Sequence, residues 1–423
     1  MKVAIIGTGI SGLGCAHFLH DRCDLTLYEQ HDYIGGHTNT ITVEEAGRPV
    51  QVDTGFMVFN HVTYPNLTRL FRELQVETMA TDMSFSVQHL PDGLEYGGGN
   101  LNVLFGQRRN LLRPRHWRLL MQMGRFCSEA IPALDDPQYE NLNLREYIFR
   151  RGYGDDLLNL FVVPMGSAVW STPPELMLDF PAITLLRFWY NHGFLGLRTQ
   201  HQWYTVIGGS QSYVKKITVP FRDRILLERK AVRVAREDGV VRVTASDGSV
   251  ATYDKVILAA HADQSLRLLA DPTLLESRLL GQFSYQANTT MLHTDDSFMP
   301  RTRRCWSSWN YRIDAAPDGR LLPTTHYWMN GLQRVSERVN YFVSLNCHDR
   351  IAPEKVLRRI NYEHPVFNLA AIAAQRELPM LNNLSPDQTT YYAGAWFRYG
   401  FHEDGFSSAI DCVRSFTRDA IWG

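Results

Sequence analysis

Three glycines, Gly7, Gly9 and Gly12, open the sequence at G-x-G-x-x-G spacing, and Glu29 follows 22 residues after the first of them. That set of residue types suits the binding of a dinucleotide. Gly7 permits a tight turn, Gly9 lets a pyrophosphate come close to the backbone, and Gly12 lets a helix pack closely on a strand. Ile10 and Ser11 stand where that helix begins, so their N–H groups and the positive end of the helix dipole meet phosphate. The Glu29 carboxylate suits the hydroxyls of an adenosine ribose and repels a 2′-phosphate, which leaves NAD and FAD as the nucleotides to separate. A second glycine pair, Gly35-Gly36, followed by His37, favours FAD, because a plain nicotinamide site does not require it. A simple glycine turn between two strands is the other reading of that pair.

The surrounding elements are those that such a site needs. "KVAIIG" is an apolar, β-branched run suited to a parallel strand buried on both faces. A helical stretch follows to about His20, and "DLTLYE" forms a second strand that closes on Glu29. Thr40–Val43 and Val50–Asp53 alternate as a hairpin with its turn near Gly47. Asp53-Thr54-Gly55 then leads into an aromatic stretch starting at Phe56, where the Gly55 backbone is free to approach a bound ring. Farther on, "VIGGSQSYVKKI" reads as a glycine turn into a helix. "VVRVTASDGSVATYDKVILAA" reads as a hairpin turning at Asp247-Gly248 and ending in a buried strand. Near the C-terminus, "GAWFRYGFHEDGFSSA" sets His402, Glu403, Asp404 and Gly405 among aromatics. Phe406, Ile410 and Val413 follow at helical spacing, and the acids suit a helix start.

Composition narrows the function classes. A chain of 423 residues is long for one simple core and suits two domains. Hydrophobic content of 44% with 21% charged residues is ordinary for a soluble globular protein, and a net charge of −1 gives no reason to expect nucleic acid. The 43 basic residues include six lysines, so 37 are arginine. The six cysteines are scattered singly with no C-x-x-C spacing, as in a reducing cytoplasm. Glycines interrupt the apolar opening, which argues against a signal peptide. The longest apolar run, Leu176–Tyr190, is broken by Asp179, Pro181 and Arg187 and is too short to span a bilayer. No metal site or Ser/His/Asp array has suitable spacing. "GQRRNLLRPRHWRLLMQM" (Gly106–Met123) reads as a solvated basic helix face or as a contact with a membrane surface. "FPAITLLRFWYNHGFLGL" reads as core or as the lining of a lipophilic tunnel.

The stretches "AIIGTGISGLGCA", "YEQHDYIGGHTNT", "VDTGFMVFN", "PMGSAVWS", "NHGFL", "GGSQSYV" and "RYGFHEDGFSSA" together carry a resemblance. The chain resembles the flavin-containing amine oxidoreductase superfamily, which includes protoporphyrinogen oxidase and the phytoene-type desaturases. Within it, the chain is similar to a bacterial group of predicted NAD/FAD-binding proteins. The resemblance implies an α/β fold: a Rossmann-like FAD-binding domain of the two-dinucleotide-motif type with an inserted α+β substrate domain. Residues 1–60, 200–265 and 385–423 would form the first, and 61–199 and 266–384 the second. It implies non-covalent FAD, since Cys412 matches no covalent link. The segment Gly35-Gly36 would fold over the pyrophosphate, with His37 in place of the usual arginine. Val232 would meet the adenine through its backbone, and Gly394 and Ala395 would lie near the flavin. Asp404-Gly405 would begin a helix, carrying Ser408, that faces the ribityl-phosphate.

The implied chemistry is hydride removal from an apolar substrate such as an acyl chain or isoprenoid. Oxidation of a small amine and a non-catalytic lipid-binding escort on the same fold are the alternatives, and an NAD-dependent dehydrogenase is a third. Members that oxidise amines commonly place a lysine near the flavin; this chain has none between Lys2 and Lys215 or between Lys255 and Lys355. Tyr399, with Trp396 and Phe397, is expected to wall the flavin, and His402 to serve as an acid/base or flavin-tuning group. The expected partners are a small lipophilic substrate and a peripheral membrane contact, at the inner face of the membrane of a cytoplasmic protein.

Overall fold

The computed structural model describes residues 1–196, 199–347, 349–384 and 388–422. Its organising element is a sheet of five parallel strands. In spatial order these are Ile225–Leu226, Asp24–Tyr28, Lys2–Ile6, Lys255–Leu258 and Thr390–Tyr392. The apolar opening run lies near the centre, as a doubly buried strand should. Val3 and Ile5 pack into one core with Leu13, Ala16 and Phe406, while Ala4 and Ile6 face another with Val256 and Leu258. The two-residue period of a strand thus serves both faces.

The helix Ile10–Leu19 follows the glycine turn and packs against the helix His402–Thr417. Gly14 permits that crossing: a Cβ there would come within 2.8 Å of the Ala409 Cβ and 2.9 Å of the Phe406 ring. The two helices and the sheet bring residues separated by almost the whole sequence into one core.

The hairpin Thr40–Glu45/Arg48–Asp53 forms with Thr40 opposite Asp53, and the strands Ala231–Glu237, Val240–Ala245 and Val250–Tyr253 make a small antiparallel sheet. The first of these carries a bulge at Val232, between the pairs Ala231↔Ala245 and Arg233↔Thr244.

A seven-stranded sheet stands opposite. Its order is Val356–Val366, Ser284–His293, Phe342–Leu345, Leu321–Trp328, Trp309–Ala315, Phe85–His89 and Leu94–Gly97. All neighbours are antiparallel except Trp309–Ile313, which runs parallel to Phe85–His89 and so ties an early segment to a late one. The helices Pro114–Ala133 and Val163–Trp170 pack beside this sheet, Leu119 and Ala168 sharing a core with Val87, Tyr96 and Tyr311, and Ala182–Asn191 packs on Pro114–Ala133. In Ala182–Asn191, Leu185, Leu186 and Trp189 are core, whereas Phe188 faces the cavity described below. Position 385, where the last crossing between domains was expected, lies outside the described residues. Among the described residues no helix is long and apolar enough to cross a membrane, and no cysteine is in a disulfide.

Candidate active site

A cavity of about 1140 Å³ runs from the C-terminal ends of the parallel strands to the seven-stranded sheet. The end of a parallel sheet is where α/β folds of this kind take ligands.

The three opening glycines do different work there. Gly7 has φ +104° and a Cβ on it would lie 2.7 Å from the Ala259 carbonyl oxygen; on Gly12 it would lie 2.0 Å from the Gly7 oxygen. Both positions are closed by packing. A Cβ on Gly9 would meet nothing within 4 Å, so the space over Gly9 belongs to the cavity. Gly9 also precedes the helix as an N-cap with no side-chain cap, which leaves the helix N–H groups open. Gly36, with φ +59°, approaches from the opposite side: its added Cβ would come 3.2 Å from the Gly9 Cα. Gly35 and Ser11 line the same groove.

Glu29 ends its strand as expected. One carboxylate oxygen accepts from the Thr8 backbone N–H at 3.2 Å and from the Thr8 hydroxyl, the other from the His31 N–H at 3.0 Å. These bonds hold the carboxylate at the cavity wall. The bulged residue Val232 also lines the cavity; the extra residue of a bulge leaves the ladder, so its backbone is available to a ligand edge.

His37 is buried, and burial with the neighbouring His261 pushes its pKa down to about 4. Its Nε2 has no hydrogen-bond partner among the described residues, and its ring stacks on Tyr362 at 5.0 Å and meets His364 at 5.2 Å. Where an arginine would carry a permanent charge, this position is neutral. Gly55 lines the cavity and packs on His37 so tightly that a Cβ would fall 2.1 Å from the His37 oxygen.

His402 also lies on the wall. Its Nε2 is 2.9 Å from the Thr38 hydroxyl and 2.8 Å from the Tyr213 hydroxyl, and its ring stacks on Phe56 at 3.8 Å. Burial, with His37 nearby, pushes its pKa down to about 3, which makes it a weak base fixed in place. Tyr399 lines the cavity, its carbonyl accepts from Trp170 Nε1 at 3.1 Å, and burial raises its phenol pKa. Gly394, Ala395 and Trp396 complete this stretch of wall; Phe397 stands off it.

Four residues expected at the cofactor stand behind the wall instead: Gly12, Asp404, Gly405 and Ser408. A Cβ on Gly405 would lie 2.7 Å from Ile10, so this glycine lets the closing helix meet the glycine turn. Ser408 accepts from the Gly394 N–H at 2.8 Å, and Asp404 accepts from the Phe401 N–H at 2.9 Å. Burial pushes the Asp404 pKa up to about 7. Cys412 is buried in the same helix, away from the cavity.

Beyond this wall the cavity is lined by Phe188, Phe194 and Trp203, and by Trp309, Tyr327 and Leu345 of the seven-stranded sheet. Its polar groups among the described residues are uncharged: hydroxyls, including Ser171 and Thr290, and the unpartnered indole N–H groups of Trp203 and Trp309. Ser171 adopts a left-handed conformation, φ +53°, held by two bonds to its carbonyl from Gln286 Nε2 (3.1 Å) and Asn288 Nδ2 (3.0 Å). Charged side chains line other parts: Glu29 and Lys230 near Val232, Arg267 on the helix Ala262–Leu268, and Arg359 and Glu363 on the edge strand. Arg359 pairs with Met291, one residue out of phase with Thr290, and therefore projects from the opposite face of the sheet.

His261, Tyr362 and His364 were not foreseen. Tyr362 and His364 reach His37 from the edge strand Val356–Val366 and His261 from the start of the helix Ala262–Leu268, and none carries a local motif. The groove between Gly9 and Gly36, the uncapped helix start, the buried Glu29 carboxylate at the wall and the bulge together fit FAD, and Lys230 is the sole lysine among the described residues lining the cavity.

Residues 10–415 match the profile of the family described as Flavin containing amine oxidoreductase. A 78-residue segment is 37% identical to the 15-cis-phytoene desaturase of Synechococcus elongatus, covering 18% of this chain and 16% of that protein. The flavin-containing amine oxidase B of Homo sapiens is 23% identical over 284 residues, 64% of this chain and 52% of that protein. The matches thus span about half the length of these relatives or less. The cyclohexylamine oxidase of Brevibacterium oxydans superposes with a TM-score of 0.66 at 15% identity, covering 99% of both chains, which shows a shared fold.

Proposed function

The chain belongs to the flavin-containing amine oxidoreductase family, whose cofactor is FAD, and we propose that it takes a hydride from an uncharged, apolar substrate such as an acyl chain or isoprenoid. The observation that carries this reading is the chamber of aromatic and aliphatic side chains, free of charged groups among the described residues, that continues directly from the glycine groove. Bound FAD would supply a two-electron acceptor for hydride. The chain's own residues bind, orient and exclude water. The Gly9–Gly36 groove and the helix start at Ile10 would hold the pyrophosphate, Glu29 the ribose and the Val232 backbone the adenine. Gly394, Ala395 and the Phe56–His402 stack would form the wall beside the flavin. Tyr399 would stand against the substrate as part of the aromatic enclosure, and His402 would act as a neutral, fixed hydrogen-bond partner rather than as a proton carrier near pH 7.

A charged ammonium inside this chamber would lose its hydration without gaining a carboxylate, a cost of several kcal/mol. Amine oxidation is the second reading, suggested by the names of the oxidase relatives. Against it stands Lys230, which is near Val232 at the nucleotide end and not in the chamber. The deciding experiment is anaerobic mixing of the FAD-loaded protein with neutral lipids and with small amines while the flavin absorbance is followed. Bleaching by a lipid and not by amines is the expected result. Bleaching by amines alone overturns the reading, and a protein that takes up no FAD overturns its premise.

A further inference from the structure

The cavity makes no use of the surface built by residues 101–121. Five large apolar side chains are exposed there. Leu112 is 87%, Leu101 70% and Met121 65% exposed, and Leu111 and Trp117 are about half exposed. They belong to one surface. Trp117 Nε1 donates to the Leu111 carbonyl at 3.0 Å, its ring packs on Phe105 at 5.0 Å, and Met121 follows Trp117 by about one turn of the helix Pro114–Ala133.

The same surface is positively charged. Among the described residues Arg108, Arg109, Arg113 and Arg118 form no ion pair with a carboxylate. Arg108 donates to the Phe105 carbonyl and to Asn102, and Arg109 to the Gly93 carbonyl, so neither charge is neutralised. Arg115 is compensated by Asp92 and Asp156, each at 2.6 Å, and Arg118 lies near enough to Asp156 to act on it electrostatically without forming an ion pair. The helix starts at Arg113 with no side-chain cap and no acid in its first turn, so its positive end adds to the arginines. A solvated helix start would ordinarily carry the opposite charge.

Exposed Leu, Trp and Met flanked by unpaired guanidinium groups complement one environment well: the boundary between phosphate headgroups and acyl chains. We propose that residues 101–121 dock this protein on an anionic lipid bilayer. Leu111, Leu112 and Trp117 enter the interfacial layer while Arg113 and Arg118 hold phosphates. This surface lies apart from the cavity, so lipid binding there can be measured without turnover.

The test is co-sedimentation of the FAD-loaded full chain with vesicles of phosphatidylcholine alone and of phosphatidylcholine mixed with phosphatidylglycerol, at low and high salt. Strong binding to the anionic vesicles, weakened by salt, is expected. At roughly five-fold per arginine, the Arg113→Ser/Arg118→Ser variant should bind at least about ten-fold more weakly. Leu112→Ser/Trp117→Ser should lose binding as well, with the flavin spectrum unchanged because neither side chain lines the cavity, and Leu112→Ser alone, at an 87% exposed position, should weaken binding with the melting temperature unchanged. Equal binding to both vesicle types, binding to neither, or variants that bind as the parent does would overturn the proposal. So would light scattering that shows a dimer dispersed by Leu112→Ser/Trp117→Ser without vesicle binding, since the surface would then belong to a second copy of the chain.

Discussion

Gly7, Gly9 and Gly12 look alike as a motif, yet the space around each differs. A methyl group on Gly12 would strike the Gly7 oxygen, whereas one on Gly9 would enter only the cavity. Gly9→Ala should therefore leave the melting temperature of the cofactor-free protein nearly unchanged and weaken FAD binding at least about ten-fold, as read by titration of flavin fluorescence. Gly12→Ala should lower the melting temperature itself. Asp404 supplies a second residue-scale prediction. Its pKa rises from the ordinary 3.8 to about 7 on folding. Between those values the native chain keeps a proton that the unfolded chain has released, so raising the pH through that range favours unfolding. Asp404→Asn retains an acceptor for the Phe401 N–H and should flatten the fall in melting temperature between about pH 4 and 7. Parallel pH profiles for variant and parent would expose any error in this assignment. Spacing made the glycines and Glu29 legible in the sequence. The stack of His37 on Tyr362 was not, because its partner stands over three hundred residues away and strand pairing leaves no mark in local composition.

At the scale of elements, the crossing of Ile10–Leu19 and His402–Thr417 decides whether the wall at Gly394 and His402 is held in place. Gly14→Val would push these helices apart at Ala409 and Phe406, and overpacking of this kind typically costs about 1–3 kcal/mol. Denaturant unfolding should show that loss together with weakened FAD retention; unaltered stability would mean that the helices tolerate separation. The closing helix was legible from the spacing of Phe406, Ile410 and Val413, and the hairpins from their alternation and turn residues. The placement of Asp404 and Gly405, which support the wall instead of lining it, depends on how closely the helix start at Gly405 meets Ile10 and on the bond from the Phe401 N–H to Asp404. Nor did local pattern announce the seven-stranded sheet, whose parallel pairing of Phe85–His89 with Trp309–Ile313 joins strands over two hundred residues apart.

At the scale of the molecule, one cavity joins a polar groove at the parallel sheet to an uncharged chamber against the mixed sheet. The two ends should respond separately to mutation. Phe194→Asp places a carboxylate in the chamber and should reduce the rate of flavin bleaching by neutral lipids at least about ten-fold, with the visible flavin bands unchanged. Loss of the bands as well would mean that chamber and groove are not separable.

The parallel sheet also constrains how the protein is made. Its fifth strand, Thr390–Tyr392, and the helix that packs on the opening helix are translated long after the glycine turn they complete. A nascent chain can therefore display the glycine turn early, but it lacks the surfaces that enclose a nucleotide until nearly all of this sequence has emerged. Cofactor capture should be a late event in biogenesis, and chains stalled before that strand should be colourless and prone to proteolysis however much of the mixed sheet they have already formed.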